Sequence, residues 1–190
     1  MKILCFGDSN TYGFDPRSYF GGRYDTGKPW VDILAAKTNY EIENAGQNGL
    51  AIPHYEYEID IYKKIFTNKS PDLLVIMLGS NDLLQGLSAK AVSARMSGFL
   101  SKLGIEKSKI LLISPPAFTS GAWIPDEKTL DYSALLANFY SELSLKHCCH
   151  FVDSNQWKIP LCYDGVHFTE AGHKIFAENL YQKLLTLKEK

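Results

Sequence analysis

A chain of 190 residues lies a little above the about 150 residues that serve as a prior for one domain, so residues 1–190 are expected to form one domain. Apolar residues make up 45% and charged residues 22%, close to the averages of folded proteins, which excludes disorder and low complexity as dominant states. Twenty Lys and Arg against 21 Asp and Glu leave a net charge of −1, so no general basic field exists for nucleic acid or anionic lipid.

The chain opens with Lys2–Phe6, a nearly continuous apolar run that stops at Gly7. This run is too short for the apolar region of a secretory leader, and Asp8 interrupts it. No later run approaches the about 20 apolar residues of a membrane span. A cytoplasmic protein is the expectation. Further apolar runs follow at Asp72–Leu78 and Lys109–Ser114, with weaker ones at Tyr40–Ala45 and His150–Asp153. Such runs read as strands buried on both faces of a parallel sheet.

Helical spacing fills the intervals. It predicts helices over Trp30–Thr38, His54–Phe66, Ser88–Leu103, Leu130–His147 and Thr169–Lys188. The stripes are carried by sets such as Val92, Met96, Phe99 and Leu103. Strands alternating with helices imply βαβ units and helices on both faces of the sheet. Two irregular stretches, Thr11–Pro29 and Pro115–Thr129, exceed the usual connection of about 4–6 residues. Both leave carboxyl ends of strands, where α/β sheets hold ligands.

The four cysteines are Cys5, Cys148, Cys149 and Cys162. They form no C-x-x-C pair, so thiols in a reducing compartment are expected rather than a disulfide framework or a zinc cluster.

Chemistry-bearing residues gather at strand ends. Ser9 lies in Gly7-Asp8-Ser9-Asn10, directly after the first strand. A serine is a weak nucleophile unless a base takes its proton, and the commoner use of such a serine is a cap or a turn. Thr11 occupies the second glycine position of G-x-S-x-G, which argues against the α/β-hydrolase elbow. Asp164-Gly165-Val166-His167 precedes the last helix. An Asp three residues before a His can orient the ring and stabilise its protonated form, leaving the His to act as general base and acid.

Gly79-Ser80-Asn81-Asp82 ends the most apolar strand, and the Asn81 amide can donate to a developing oxyanion. Asn44-Ala45-Gly46 ends the second strand and offers a backbone N–H. The other histidines are weaker candidates: His147 and His150 flank a Cys pair and read as structural, His173 lies inside the last helix, and His54 has no acidic partner at a telling spacing. Together these blocks contain a nucleophile, a base, an orienting acid and oxyanion donors, the cast needed for acyl transfer.

This ordered set of Gly7-Asp8-Ser9, Gly46, Gly79-Ser80-Asn81-Asp82 and Asp164-x-x-His167 resembles the SGNH (GDSL-type) hydrolase superfamily. The blocks run from Gly7 to His167 and so cover most of the chain. Asn10 replaces the Leu of the GDSL name, at a position to which no chemistry is assigned. The stretch GDSNTYGFDP is similar to bacterial arylesterases and acetyl hydrolases.

The resemblance implies a flavodoxin-like three-layer α/β/α sandwich with a five-stranded parallel sheet. It implies Ser9 as nucleophile, His167 as base and Asp164 as its partner. It also implies an oxyanion hole of the Ser9 N–H, the Gly46 N–H and the Asn81 side chain, with no metal or organic cofactor. The reaction implied is hydrolysis of a small ester, short-chain acyl or acetyl, through an acyl-enzyme. Carbohydrate acetylesterase, lysophospholipase, thioesterase or acyltransferase activity would use the same residues. A flavodoxin-like binding protein is the alternative outside hydrolysis.

Aromatic residues crowd the candidate rim: Tyr12, Phe14, Tyr19, Phe20 and Tyr24 in one loop, Phe118 and Trp123 in the other, then Trp157 and Tyr163. They read either as an apolar acyl or aryl pocket or as loop anchors. No heptad or interface stripe in the sequence sets the oligomeric state.

Overall fold

The computed structural model describes residues 1–19 and 22–188. Five strands, β1 (Lys2–Gly7), β2 (Glu41–Gly46), β3 (Leu73–Met77), β4 (Ile110–Ser114) and β5 (His150–Asp153), form one sheet in the order β2-β1-β3-β4-β5. Every pairing is parallel. This is the flavodoxin-like order, whose topological switch point lies between β1 and β3.

The seven α-helices among the described residues are α1 (Ser9–Tyr12), α2 (Trp30–Lys37), α3 (Glu56–Lys69), α4 (Ser80–Leu84), α5 (Ala89–Lys102), α6 (Glu127–His147) and α7 (Glu170–Lys188). Alternation along the strands makes the three layers. Leu4, Phe6, Leu74, Ile76, Ile110 and Leu112 face one way, against Ile59 and Phe66 of α3, Val92, Met96 and Phe99 of α5, and Tyr140 of α6. Ile3, Cys5, Val75, Met77, Leu111 and Ile113 face the other way, against Trp30 and Leu34 of α2 and Phe176, Leu180 and Leu184 of α7. Strands buried on both faces carry no polar alternation, which is why they read as continuous apolar runs.

Element ends move where a cap decides them. Helix α6 starts at Glu127, not Leu130, because Asp126 accepts the Thr129 N–H at 2.8 Å. Helix α3 starts at Glu56, with the Glu58 carboxylate accepting the N–H groups of His54 and Tyr55. The short helices α1 and α4 fall where the sequence suggested only turns. They begin directly beyond β1 and β3, the two strands that flank the switch point. All four cysteines are free. Among the described residues, no helix is long and apolar enough to cross a membrane.

Candidate active site

Gly7 ends β1, and the chain turns at once into α1. Any Cβ at Gly7 would lie 2.1 Å from Thr11 Oγ1 and 2.7 Å from the Met77 carbonyl, so this turn accepts only glycine. Asp8 caps α1 by accepting the Asn10 N–H at 2.9 Å, which places Ser9 on the first helical residue. Both are buried. Burial pushes the Asp8 carboxyl up to about 6, against the opposing bond from Asn10. Its second oxygen has no hydrogen-bond partner among the described residues.

Ser9 Oγ lies 2.9 Å from His167 Nε2. His167 Nδ1 lies 2.8 Å from Asp164 Oδ2. The other oxygen, Asp164 Oδ1, accepts the N–H groups of Val166 and His167, each at 2.9 Å. Burial raises the Asp164 carboxyl, but the bonds from His167 and Val166 outweigh it and hold the group below the usual carboxylate range. An ionised carboxylate only accepts, so Nδ1 carries the ring proton and Nε2 presents a lone pair to Ser9. The chain thus runs hydroxyl to imidazole to carboxylate, and His167 and Asp164 are both buried.

Asn10 is a clamp that the sequence did not announce. Its Nδ2 donates to the Val166 carbonyl at 3.1 Å and its Oδ1 accepts the Phe168 N–H at 2.8 Å. The two bonds bracket His167 and lock the base loop onto the serine helix across more than 150 residues of sequence. Its side chain bonds to neither Ser9 Oγ nor the His167 ring, but it sets the distance between them.

The glycine at the end of β2 has a different place from the one expected. The Gly46 N–H donates to Asn44 Oδ1 at 2.9 Å, while Asn44 Nδ2 donates to the Thr11 carbonyl at 2.9 Å. A Cβ at Gly46 would lie 2.2 Å from the Tyr12 nitrogen. Gly46 therefore serves the close approach of β2 to α1, and its N–H is already engaged. The next turn, Gln47–Leu50, has N–H groups at Asn48 and Gly49 without a partner among the described hydrogen bonds, and Gly49 has φ 73°.

The Asn81-Asp82 pair holds this same turn. Asn81 Nδ2 donates to the Leu50 carbonyl at 3.0 Å, and Asp82 Oδ2 accepts the Ile52 N–H at 2.9 Å. Asp82 Oδ1 accepts from Arg95 at 3.0 Å. Burial raises the Asp82 carboxyl, opposed by the bonds from Ile52 and Arg95. One N–H of the Asn81 amide stays unused by these bonds.

Among the described rim aromatics, Phe14 and Trp123 pack on His167. Their rings lie 4.7 Å and 4.8 Å from the His167 ring, on a buried imidazole. Trp123 is placed by a strap that the sequence gave no sign of. The N–H groups of Thr119, Ala122 and Trp123 donate to the carbonyls of Gly165, Tyr163 and Asp164. The strap needs Gly121, where a Cβ would meet Asp164 backbone at 2.3 Å.

The other aromatics anchor loops or the core. Tyr24 is buried and donates to the Phe168 carbonyl; Tyr163 donates to the Pro16 carbonyl; Trp157 packs on Phe176; Phe118 is in the core. Arg23 holds the Tyr12 carbonyl and Asp32, Tyr19 is exposed, and Phe20 lies outside the described residues.

His173 is buried beneath this loop. Its Nδ1 accepts the Trp30 N–H at 3.2 Å, and burial pulls its pKa down to about 3. It is a neutral core histidine, away from the chain of Ser9, His167 and Asp164.

The chain matches the family model of the GDSL-like lipases/acylhydrolases over residues 5–175, and it belongs to that family of ester-hydrolysing enzymes. Among solved structures it is similar to the native aryl esterase of M. smegmatis, with 23% identity, TM-score 0.81, and coverage of 98% of this chain and 99% of that one. It is equally similar to a carbohydrate acetylesterase family member from Sinorhizobium meliloti, at 23% identity, TM-score 0.81, and 98% of both chains. The lipase/acylhydrolase of Enterococcus faecalis matches with 23% identity, TM-score 0.74, and 96% and 94% coverage. No curated protein sequence matches the chain.

Proposed function

We propose that the protein is a serine esterase that hydrolyses small, neutral carboxylic esters, short-chain acyl or acetyl, through a covalent acyl-enzyme. The observation that carries this reading is the unbroken chain of Ser9 Oγ, His167 and Asp164 at 2.9 Å and 2.8 Å. His167 Nε2 takes the Ser9 proton as Oγ attacks the ester carbonyl. Asp164 stabilises the imidazolium that forms. The imidazolium then gives its proton to the departing alcohol. Water, deprotonated by the same nitrogen, attacks the acyl-enzyme; the acid leaves and Ser9 regains its proton.

The oxyanion would be met by the Ser9 N–H, by the free N–H of the Asn81 amide and by a backbone N–H of the Gln47–Leu50 turn. The last replaces the Gly46 N–H, which Asn44 already holds. The bond from Asn81 to the Leu50 carbonyl couples two of these donors, so that the amide and the turn move together. Preorganised donors of this kind account for a large part of acyl-transfer catalysis.

Substrate size follows from the walls. Ser9 and His167 are buried, and Phe14 and Trp123 flank the imidazole. Two rings beside the base favour a small acyl group with a flat or apolar alcohol. Stacking on Trp123 would also suit a sugar acetate, the substrate class named for the Sinorhizobium meliloti relative. Phosphate binding of the flavodoxin kind is disfavoured by the buried Asp8 carboxylate beside the Ser9 N–H. The free cysteines suit a reducing compartment such as the cytoplasm.

The test is hydrolysis of p-nitrophenyl esters of increasing acyl length, with Ser9→Ala as control. Activity confined to short chains and lost in Ser9→Ala is the expected result. A long-chain optimum, or a folded Ser9→Ala protein with full activity, would overturn it.

A further inference from the structure

The turn Gln47–Leu50 is secured on two sides. The Gln47 N–H donates to the Gly7 carbonyl at 3.0 Å, which ties the start of the turn to the end of β1. Its far side is gripped by two neighbouring residues of α4: Asn81 donates to the Leu50 carbonyl, and Asp82 accepts the Ile52 N–H. Ile52 is buried, and His54 Nδ1 lies 3.1 Å from its carbonyl oxygen. Both backbone groups of Ile52 are therefore held by side chains.

Asp82 is a costly anchor. Its side chain is fully buried, and a buried carboxylate is unfavourable unless it is paired and hydrogen-bonded. Its one ion pair among the described residues is with Arg95 of α5, at 3.0 Å. The remaining side-chain N–H groups of Arg95 have no hydrogen-bond partner among the described residues. The guanidinium thus serves Asp82 alone.

Without that guanidinium the carboxylate has two courses. It can take a proton, which replaces the charge-assisted bond to Ile52 with a weaker neutral one. It can instead stay ionised and swing toward water through the space that Arg95 vacates, where a cavity of about 540 Å³ lies between Ile59 of α3 and Phe99 of α5. Either course loosens Ile52, and with it the N–H groups of Asn48 and Gly49 in the turn.

We propose that Arg95 is a positioning residue for this turn, acting through the charge of Asp82. The inference rests on the reading that the turn supplies an oxyanion N–H. Loss of Arg95 then weakens binding of the tetrahedral intermediate and spares the ground-state complex. Its signature is a lower kcat at an unchanged KM. A purely structural pair would lower the melting temperature and leave the kinetics of the folded enzyme alone.

The test is a double-mutant cycle in kcat for p-nitrophenyl acetate, with Arg95→Met and Asp82→Asn. Asp82→Asn keeps an oxygen for the Ile52 N–H and removes the buried charge. Arg95→Met is expected to lower kcat by about tenfold to a hundredfold, less than the about 10²–10³ of a lost donor, with KM within about twofold. A boronic acid forms a tetrahedral adduct on Ser9 with an oxygen where the oxyanion develops. Its inhibition constant is expected to rise by the same factor as kcat falls. Arg95→Lys, which keeps the charge, is expected to retain more activity than Arg95→Met. In the Asp82→Asn protein, adding Arg95→Met is expected to cost no further activity.

A folded Arg95→Met enzyme with wild-type kcat would overturn the proposal, as would a raised KM at constant kcat. If Arg95→Met alone does not fold, the Asp82→Asn pair still decides, because neither protein buries an unpaired charge. A further loss of about tenfold within that pair would also overturn it. An inactive wild type would overturn the esterase reading itself, and the role of Arg95 with it.

Discussion

Asp164→Asn separates orientation of the base from mere occupancy of the site. The native carboxylate makes three bonds: Oδ1 takes the Val166 and His167 N–H groups, and Oδ2 takes His167 Nδ1. An amide has one acceptor atom. Its oxygen must stay on the two backbone donors, because the opposite orientation would aim an NH₂ group at two buried N–H groups and forfeit both bonds. The amide nitrogen then faces Nδ1 as a donor. Nδ1 must become the acceptor, the ring proton moves to Nε2, and Nε2 can no longer receive the Ser9 proton.

Trapping a catalytic histidine in the wrong tautomer lowers kcat by about 10⁴, or about 5 kcal/mol at 1.36 kcal/mol per decade. Two of the three bonds survive, so the melting temperature should change little. The assay is kcat for p-nitrophenyl acetate beside a thermal melt. A folded Asp164→Asn enzyme within about tenfold of wild type would refute the reasoning.

Three further outcomes are expected. Asn10→Ala removes the clamp and leaves the Val166 carbonyl and Phe168 N–H buried without partners, at about 1–3 kcal/mol for each group; denaturant unfolding should show the loss, and kcat should fall with it. Asn81→Ala removes the proposed oxyanion donor and should lower kcat by about 10²–10³ with little change in KM, and an unchanged kcat would remove Asn81 from the site. Asp8→Asn keeps the cap oxygen and removes a carboxyl whose pKa rises from 3.8 to about 6 on folding. The native state binds the extra proton between those values, so wild-type stability falls as pH rises through them. The variant should therefore be more stable by up to about 3 kcal/mol above pH 6, with the difference gone below pH 4, as read by paired melts at pH 8 and pH 4.

Much of the fold could be read from the sequence because β1, β3 and β4 are buried on both faces and each long helix on one. Asp72–Leu78 therefore announced itself as a continuous apolar run and Ser88–Leu103 by its helical spacing. Helices α1 and α4, four and five residues long, are shorter than any periodicity can report, and only their caps and glycines mark them.

The residues of the hydroxyl–imidazole–carboxylate chain stood out for a local reason: Asp164 and His167 are three residues apart, and Ser9 follows a strand end. Asn10 and Gly121 were hidden because their partners, Val166 and Asp164, lie far along the chain. Gly46 misled for the opposite reason. It ends a strand beside the serine helix, but the Asn44 side chain two residues earlier intercepts its N–H, and no strand pattern reports a side chain folding back on its own backbone. The rim aromatics were legible only as a crowd. Which of them reach His167 depends on the three backbone bonds that bring Trp123 in.

The central claim is that Ser9 carries the acyl group. Its most direct measurement is mass spectrometry of the enzyme quenched during turnover of p-nitrophenyl acetate, followed by peptide mapping. The account predicts an acetyl group on the peptide containing Ser9, present in the wild type and missing from Ser9→Ala. Steady turnover with the acetyl group on another residue, or undiminished turnover by Ser9→Ala, would contradict it.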